Sequence, residues 1–224
     1  MENWHGISPE AALQVFGSRR SGLTDDEVRE RLARYGHNEL KAKGRVSPVL
    51  VFLKQFLSPL IYVLLVAAII SVAVGHLLDA GVITVAVLVG AVIGYVQETR
   101  AQKAMEALLR MAAPKATVRR DTRMREVLTR EIVPGDILLL EAGDKVPADA
   151  RLIEVSNLKV NEATLTGESM PVEKHSETLG EPVPVAERKN LVFMGTVVTY
   201  GRATAVVFGT GMSTEIGKIA TVIG

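Results

Sequence analysis

The 224-residue sequence contains no cysteine and few aromatic residues. The absence of cysteine excludes a disulfide framework, a thiolate nucleophile and a cysteine-ligated metal site. Because Phe, Trp and Tyr make up only 4% of the residues, a hydrophobic core must consist mainly of aliphatic side chains. Histidine ligands for a metal need close spacing, so we expect no histidine metal site from four scattered residues, which are His5, His37, His76 and His175.

A large net charge is also missing. The formal charge is +1 at pH 7, which gives no overall attraction to nucleic acid, and we expect no nucleic-acid partner. Residues 1–45 are polar and charged, so we expect no secretory signal there. What the chain has instead is 48% hydrophobic residues and a mean hydropathy of +0.23. These values favour a membrane protein.

Two helix starts stand in the polar N-terminal stretch. Ser8 can cap a helix that has Pro9 at its first position. Thr24 and Glu27 have the spacing of a capping box, in which each side chain binds the other residue's backbone N–H. Gly36 can end this second helix. We therefore predict a cytoplasmic helical region over residues 1–45.

Two charge-free runs follow, "FLSPLIYVLLVAAIISVAVG" over 56–75 and "AGVITVAVLVGAVIGYVQ" over 80–97. About 20 apolar residues in a helix span a bilayer core. The runs predict a two-helix transmembrane hairpin within residues 46–113, with a cytoplasmic helical extension after the second span. The alternative is a buried hairpin of a soluble protein.

Lysine and arginine flank this hairpin but are missing from its turn. Positively charged residues near membrane helices stay in the cytoplasm, which predicts an integral, multi-pass protein in the lipid bilayer with both termini cytoplasmic. The residues concerned are Lys41, Lys43, Arg45 and Lys54 before the first span, and Arg100, Lys103 and Arg110 after the second.

From residue 114 to 224 the hydrophobic period changes to that of short strands, separated by turns rich in glycine, proline and aspartate. Such spacing is typical of a small β sandwich or distorted jelly roll. Gly201 is expected at a hairpin turn, and Ser213 or Thr214 is expected to cap a final helix. The predicted fold class is a mixed α and β membrane protein.

One carboxylate stands out in "NEATLTGESMPVEK", residues 161–174. Glu168 lies between Gly167, which allows close approach of a partner, and Ser169. A carboxylate presented in this way can orient and deprotonate a water molecule. Taken alone, the loop is more typical of an ordinary surface turn than of a catalytic site.

Four stretches together resemble the P-type cation-transporting ATPases, most closely the calcium-pump-like branch, from Trp4 to the last residue. They are "GLTDDEVRERLARYGHNEL", "VPGDILLLEAGDKVPADARLIE", "NEATLTGESMPVEK" and "NLVFMGTVVTYGRATAVVFGTGMSTEIGKIA". The resemblance implies the family's cytoplasmic N-terminal region, first two membrane helices and actuator domain.

The resemblance also implies roles for the loop. In this family the actuator domain brings its Thr-Gly-Glu-Ser loop onto an aspartyl phosphate formed from ATP on another domain. Glu168 would position and activate the hydrolytic water. Thr166 and Gly167 would fit against the phosphorylated site, and Ser169 would support the loop.

The family's Asp-Lys-Thr-Gly phosphorylation motif is absent from the sequence, since Asp144-Lys145 continues as Val146-Pro147. Its nucleotide-binding domain and later membrane helices are absent too. The resemblance thus implies that ATP, Mg²⁺ and the transported cation engage the complete pump, with its remaining catalytic domains and helices as partners. This chain alone is expected to bind neither cofactor and to be inactive.

Two other interpretations stay open at this point. The chain could be a non-catalytic two-span membrane module that binds or regulates a pump. It could also be a separate subunit that a catalytic partner completes.

Overall fold

A computed structural model describes residues 3–40, 48–55, 57–111, 113–180 and 183–223. The chain divides into two compact units, one made of residues 1–42 and 114–224 and the other of residues 43–113. The helices are α1 (Pro9–Val15), α2 (Asp25–Tyr35), α3 (Pro48–Gln55), α4 (Pro59–Ala73), α5 (Leu77–Met111), α6 (Ala163–Thr166) and α7 (Glu215–Ile223). The strands are β1 (Lys115–Arg120), β2 (Arg123–Leu128), β3 (Ile137–Glu141), β4 (Asp149–Asn161), β5 (Val172–Glu173), β6 (Leu191–Val192) and β7 (Val197–Gly209).

Both predicted helix caps of the N-terminal region are confirmed. The Ser8 hydroxyl accepts the backbone N–H of Ala11 at 3.2 Å, and Pro9 is the first residue of α1. At the start of α2, the Thr24 hydroxyl accepts the Glu27 N–H at 3.3 Å, while a Glu27 carboxylate oxygen accepts the Thr24 N–H at 2.7 Å. These caps satisfy N–H groups that have no partner inside the helix.

The strands form one antiparallel sheet in the order β2-β1-β3-β7-β4-β5, with β6 paired to β4. The predicted mixture of helices and antiparallel strands is confirmed, whereas the finer prediction of a sandwich or distorted jelly roll stays a prediction. The strands β4 and β7 have 13 residues each, and their pairing has several register shifts. Such irregularities bend a sheet, and side chains from β1, β3, β4, β6 and β7 meet in one aliphatic core.

Both faces of the central sheet are buried over β3, the first half of β4 and the second half of β7. Leu138 and Leu152 face the aliphatic core, whereas Ile137, Ile153 and Val206 point to the other face. There α1 covers the sheet with two buried side chains, those of Ala12 and Leu13. The N-terminal region is therefore the second layer of the β unit, which explains the continuous apolar run Ile137–Leu140 of β3.

Gly201 lies inside the continuous strand β7, so the hairpin turn predicted at this residue is wrong. Its φ is +79°, and a Cβ atom there would stand 2.3 Å from the Asn157 carbonyl oxygen and 2.4 Å from that of Ser156. Glycine is needed because the backbones of β4 and β7 approach closely at an irregularity of the pairing.

Residues 43–113 form the helical unit, in which α4 packs against α5. Within the described residues, one helix is long and apolar enough to cross a membrane, at Leu77–Met105 with a mean hydropathy of 2.3. The other apolar helix, Pro59–Ala73, has 15 residues. The structure thus supports one of the two predicted spans by length and composition.

The helix bounds correct the predicted ones. The second apolar helix begins at Leu77, not Ala80, and the first begins at Pro59, where proline starts the helix and does not kink it. The separate helix α3 was not predicted. Four residues used in the predictions lie outside the described residues, namely Lys41, Lys43, Arg45 and Phe56.

Candidate functional site

The Thr166–Ser169 loop connects β4 to β5. After β4 ends at Asn161, the Asn161 side-chain oxygen accepts the Ala163 N–H at 2.9 Å. The short helix α6 follows, and the chain then returns through β5, which pairs with the end of β4. The loop therefore projects from the end of a two-residue ladder at the edge of the sheet.

Thr166 and Gly167 shape the loop from within. The Thr166 hydroxyl donates to the Glu162 carbonyl at 3.2 Å and accepts the Glu168 N–H at 3.3 Å. Gly167 has φ +78° and its N–H binds the Ala163 carbonyl, so it ends α6 in a left-handed conformation. A Cβ atom added at Gly167 would meet nothing within 4 Å, so the space beside this residue is open.

Glu168 and Ser169 are exposed at the surface. Among the described residues, no hydrogen bond or ion pair involves the Glu168 carboxylate or the Ser169 hydroxyl. Met170, the next residue, is 79% exposed. The contacts that support the loop come from Thr166, and the supporting role expected for Ser169 stays a prediction.

A buried ion pair lies under the loop. The Lys174 ammonium nitrogen is 2.5 Å from a Glu162 carboxylate oxygen, and both side chains are at most 1% exposed. Apart from this contact, none of the ammonium and carboxylate atoms of the pair has a hydrogen-bond partner within the described residues. Burial raises the pKa of Glu162 and lowers the pKa of Lys174, while the attraction between the two charges acts in the opposite direction on each.

Sequence reasoning missed this pair. Glu162 and Lys174 stand at the two ends of the quoted motif, and their opposite charges were the available signal. Their spacing in the sequence did not predict the contact, because it forms only when β5 pairs antiparallel with the end of β4. The Lys174 ammonium also lies 5.7 Å from the centre of the Phe193 ring.

The described residues contain no group of three histidine, aspartate or glutamate side chains placed to share a metal ion.

Comparison with known proteins agrees with this architecture. The sequence profile of the P-type ATPase actuator domain matches residues 110–224. A second profile, that of the cation transporter/ATPase N-terminus, matches residues 4–71. Together they cover the strands of the sheet, α1, α2, α3 and most of α4, whereas most of α5 lies between the two matched ranges.

Whole sequences give the same family. The chain is 45% identical to "Calcium-transporting ATPase 1" of Bacillus cereus, over 100% of its own length and 26% of the relative. It is 40% identical to "Calcium-transporting ATPase" of Bacillus subtilis over 92% of its length and 23% of the relative. It is 45% identical to "Cation-transporting ATPase pma1" of Synechocystis over 89% of its length and 22% of the relative.

The chain thus spans about a quarter of the length of these curated relatives. The actuator profile covers more than half of the chain, and its range includes the Glu168 loop. The chain belongs to the P-type ATPases and contains their actuator domain.

Proposed function

We propose that this chain acts within an ATP-driven cation pump of the calcium-transporting type, in which Glu168 promotes hydrolysis of an aspartyl-phosphate intermediate. The observation that carries the proposal is the exposed Glu168 carboxylate on a projecting loop. Its carboxylate makes no hydrogen bond within the described residues, so it is available to a water molecule at a partner surface.

The chemistry divides between domains. An aspartate outside this chain would accept the phosphoryl group from ATP. Glu168 would then take a proton from a water molecule, whose oxygen bonds to phosphorus as the bond between phosphorus and the aspartate oxygen breaks. Inorganic phosphate and a free aspartate carboxylate result. The open space at Gly167 lets the loop backbone approach the phosphorylated surface closely.

P-type ATPases use ATP and Mg²⁺, and we assign both to the remaining domains of the pump. The transported cation is likewise assigned to membrane helices outside this chain. The curated relatives are named for calcium or cation transport, which supports the substrate class.

We further propose that α4 and α5 both cross the bilayer. Their outward side chains are apolar and exposed, among them Val63, Ile69, Val82 and Val85 at 60–70% exposure. A soluble protein rarely exposes so extended an apolar surface, whereas lipid would cover it. At 15 residues α4 is about 22 Å long, shorter than a bilayer core of about 30 Å, so flanking residues would complete its span.

The test is Glu168→Gln in the complete pump. The amide keeps the shape of the side chain but cannot act as the base, so phosphorylation by ATP should persist. Hydrolysis of the phosphoenzyme should slow by roughly 10²–10⁴-fold, or about 3–5 kcal/mol of barrier. The measurement is the decay of acid-stable phosphoenzyme after an ATP chase.

Glu173→Gln is the matched control, because Glu173 is an exposed glutamate on the adjacent strand β5. This variant should decay at close to the wild-type rate. Normal decay in Glu168→Gln would remove the catalytic assignment, as would equal slowing in the control.

A further inference from the structure

We propose that the buried Glu162–Lys174 pair is a positioning device that holds the Glu168 loop at the geometry needed for phosphoenzyme hydrolysis. This inference rests on the proposed function of Glu168. Neither residue would touch the phosphoryl group. Both would act through the loop whose ends they join.

The placement of the pair supports this role. Glu162 directly precedes α6, and Lys174 directly follows β5, so the two residues bracket the whole loop. The strand pairing at this point consists of Lys159 with Glu173 and Val160 with Val172, and the Lys174 N–H adds one hydrogen bond to the Leu158 carbonyl at 2.9 Å. So short a ladder holds a loop weakly, and the ion pair adds a side-chain connection across its base.

The loop is also hydrogen-bonded to the backbone of Glu162. The Glu162 carbonyl accepts the N–H of Leu165 at 2.8 Å, the N–H of Thr166 at 3.0 Å and the Thr166 hydroxyl at 3.2 Å. Thr166 in turn binds the Glu168 N–H. Two consecutive hydrogen bonds therefore connect Glu162 to Glu168, the first from the Thr166 hydroxyl to the Glu162 carbonyl and the second from the Glu168 N–H to the Thr166 hydroxyl. A displacement of Glu162 would move Glu168 through them.

Stability alone gives no reason for a charged pair here. Removing two charges from water carries a large desolvation penalty, and apolar replacements of a buried pair are often neutral or stabilising. An apolar pair, however, lacks the directional contact between a carboxylate oxygen and an ammonium group. The distinct property of Glu162 and Lys174 is thus geometric, and it should be visible in the reaction rate rather than in stability.

The decisive variant is the apolar double substitution Glu162→Leu/Lys174→Met in the complete pump, which leaves no lone buried charge. Misplacement of a reacting group by about 1 Å can cost up to about 10²-fold in rate. We expect phosphoenzyme to form from ATP at close to the wild-type rate and to decay at least about tenfold more slowly. A purely structural pair would leave both rates unchanged once the buried charges are gone.

A second double variant, Glu162→Met/Lys174→Leu, also leaves no lone buried charge and places the larger apolar side chain at the other position. It should likewise retain phosphoenzyme formation and slow its decay, and it serves if the first double variant fails to fold. Leu152→Ala is the stability control, because Leu152 is a fully buried core residue of β4 remote in sequence from the loop. This control should weaken the domain but leave phosphoenzyme decay near the wild-type rate.

The outcomes separate this inference from the proposed function when Glu168→Gln is measured beside these variants. Slow decay in Glu168→Gln with wild-type decay in the two apolar double variants would overturn the positioning role and leave Glu168 as the base. Wild-type decay in Glu168→Gln would overturn both. Equal slowing in Leu152→Ala, or loss of phosphoenzyme formation in both double variants, would reduce the pair to a stability element.

Discussion

At the scale of single residues, Asp149 is a buried carboxylate at the start of α7. Its two oxygens accept the backbone N–H groups of Met194 and Glu215, each at 2.8 Å. Burial raises the pKa of Asp149 from 3.8 to about 6, the two backbone hydrogen bonds and Lys218 oppose this rise, and the Glu215 charge adds to it. Through these two hydrogen bonds, Asp149 connects the β6–β7 turn to α7. Burial disfavours the charged form of its carboxylate.

The raised pKa predicts how stability depends on pH. Because the folded state holds the Asp149 proton more tightly than the unfolded state, the stabilising contribution is present below pH 3.8 and is lost as the pH rises through about 6. Relative to Asp149→Asn, the wild-type free energy of unfolding should fall by up to about 3 kcal/mol between pH 4 and pH 7.

Urea denaturation of a soluble fragment, residues 113–224 joined to residues 1–40, would measure this difference at pH 4.5, 6 and 7.5. Because the wild-type fragment and Asp149→Asn share every other titrating group, the difference between their two pH profiles reports Asp149 alone. Parallel pH profiles for the two proteins would contradict the raised pKa.

At the scale of elements, the N-terminal segment is bound into the β unit by both packing and hydrogen bonds. Trp4 stacks against Phe16 and Phe208, with ring centres 4.9 Å and 5.4 Å apart. The fully buried Arg151 guanidinium donates only to backbone carbonyls among the described residues, those of Ile7, Leu152, Ser176 and Asn190. Burial lowers the pKa of Arg151 to about 10, so it remains charged at neutral pH.

Leu23 tests how much the β unit depends on this segment. It is fully buried against Val28 and Val133, and its backbone forms a bridge with Arg120. Leu23→Ala should lower the free energy of unfolding of the same soluble fragment by about 2–5 kcal/mol, because a buried cavity replaces the side chain.

Val15→Ala is the control, since Val15 is 63% exposed at the end of α1. Its cost should be about 1 kcal/mol or less, measured by the same denaturation. Equal losses in the two variants would mean that the N-terminal segment does not complete the core.

At the scale of the whole molecule, the proposed two-span topology has a direct test. The sequence has no cysteine, so single cysteines can be introduced at Ser18, Leu78 and Thr178 without background. An impermeant thiol reagent should label Leu78→Cys from the side of the membrane opposite to Ser18→Cys and Thr178→Cys. This follows from an even number of spans with both termini in the cytoplasm.

Leu78 is a suitable reporter because its side chain is 88% exposed next to the turn between α4 and α5. Labelling of all three positions from the same side would contradict the proposal that both helices cross. Each variant should retain pump activity, which serves as the control for insertion.

Local signals made parts of the fold and site predictable. The Ser8 and Thr24 caps depend on residues three positions apart, so sequence spacing was sufficient to place α1 and α2. The Glu168 motif was recognisable for a similar reason, because its residues are consecutive.

Contacts between distant residues could not be read in this way. Gly201 looked like a turn residue because glycine permits a positive φ, yet the close approach of β4 is what requires it. The length of α4 was missed because the charge-free run of 56–75 carries no internal sign of where a helix starts, apart from Pro59. The helix α3 precedes that run and was not predicted there.

The sequence by itself thus determined the family, the local caps, the apolar segments and the identity of the Glu168 loop, because each depends on neighbouring residues. Only the tertiary structure decided that Glu162 meets Lys174, that Arg151 is satisfied by backbone carbonyls, and that α1 covers the second face of the sheet. These contacts join residues far apart in sequence. The pairing and register of the strands determine which residues meet, and a local sequence pattern contains no information on that pairing.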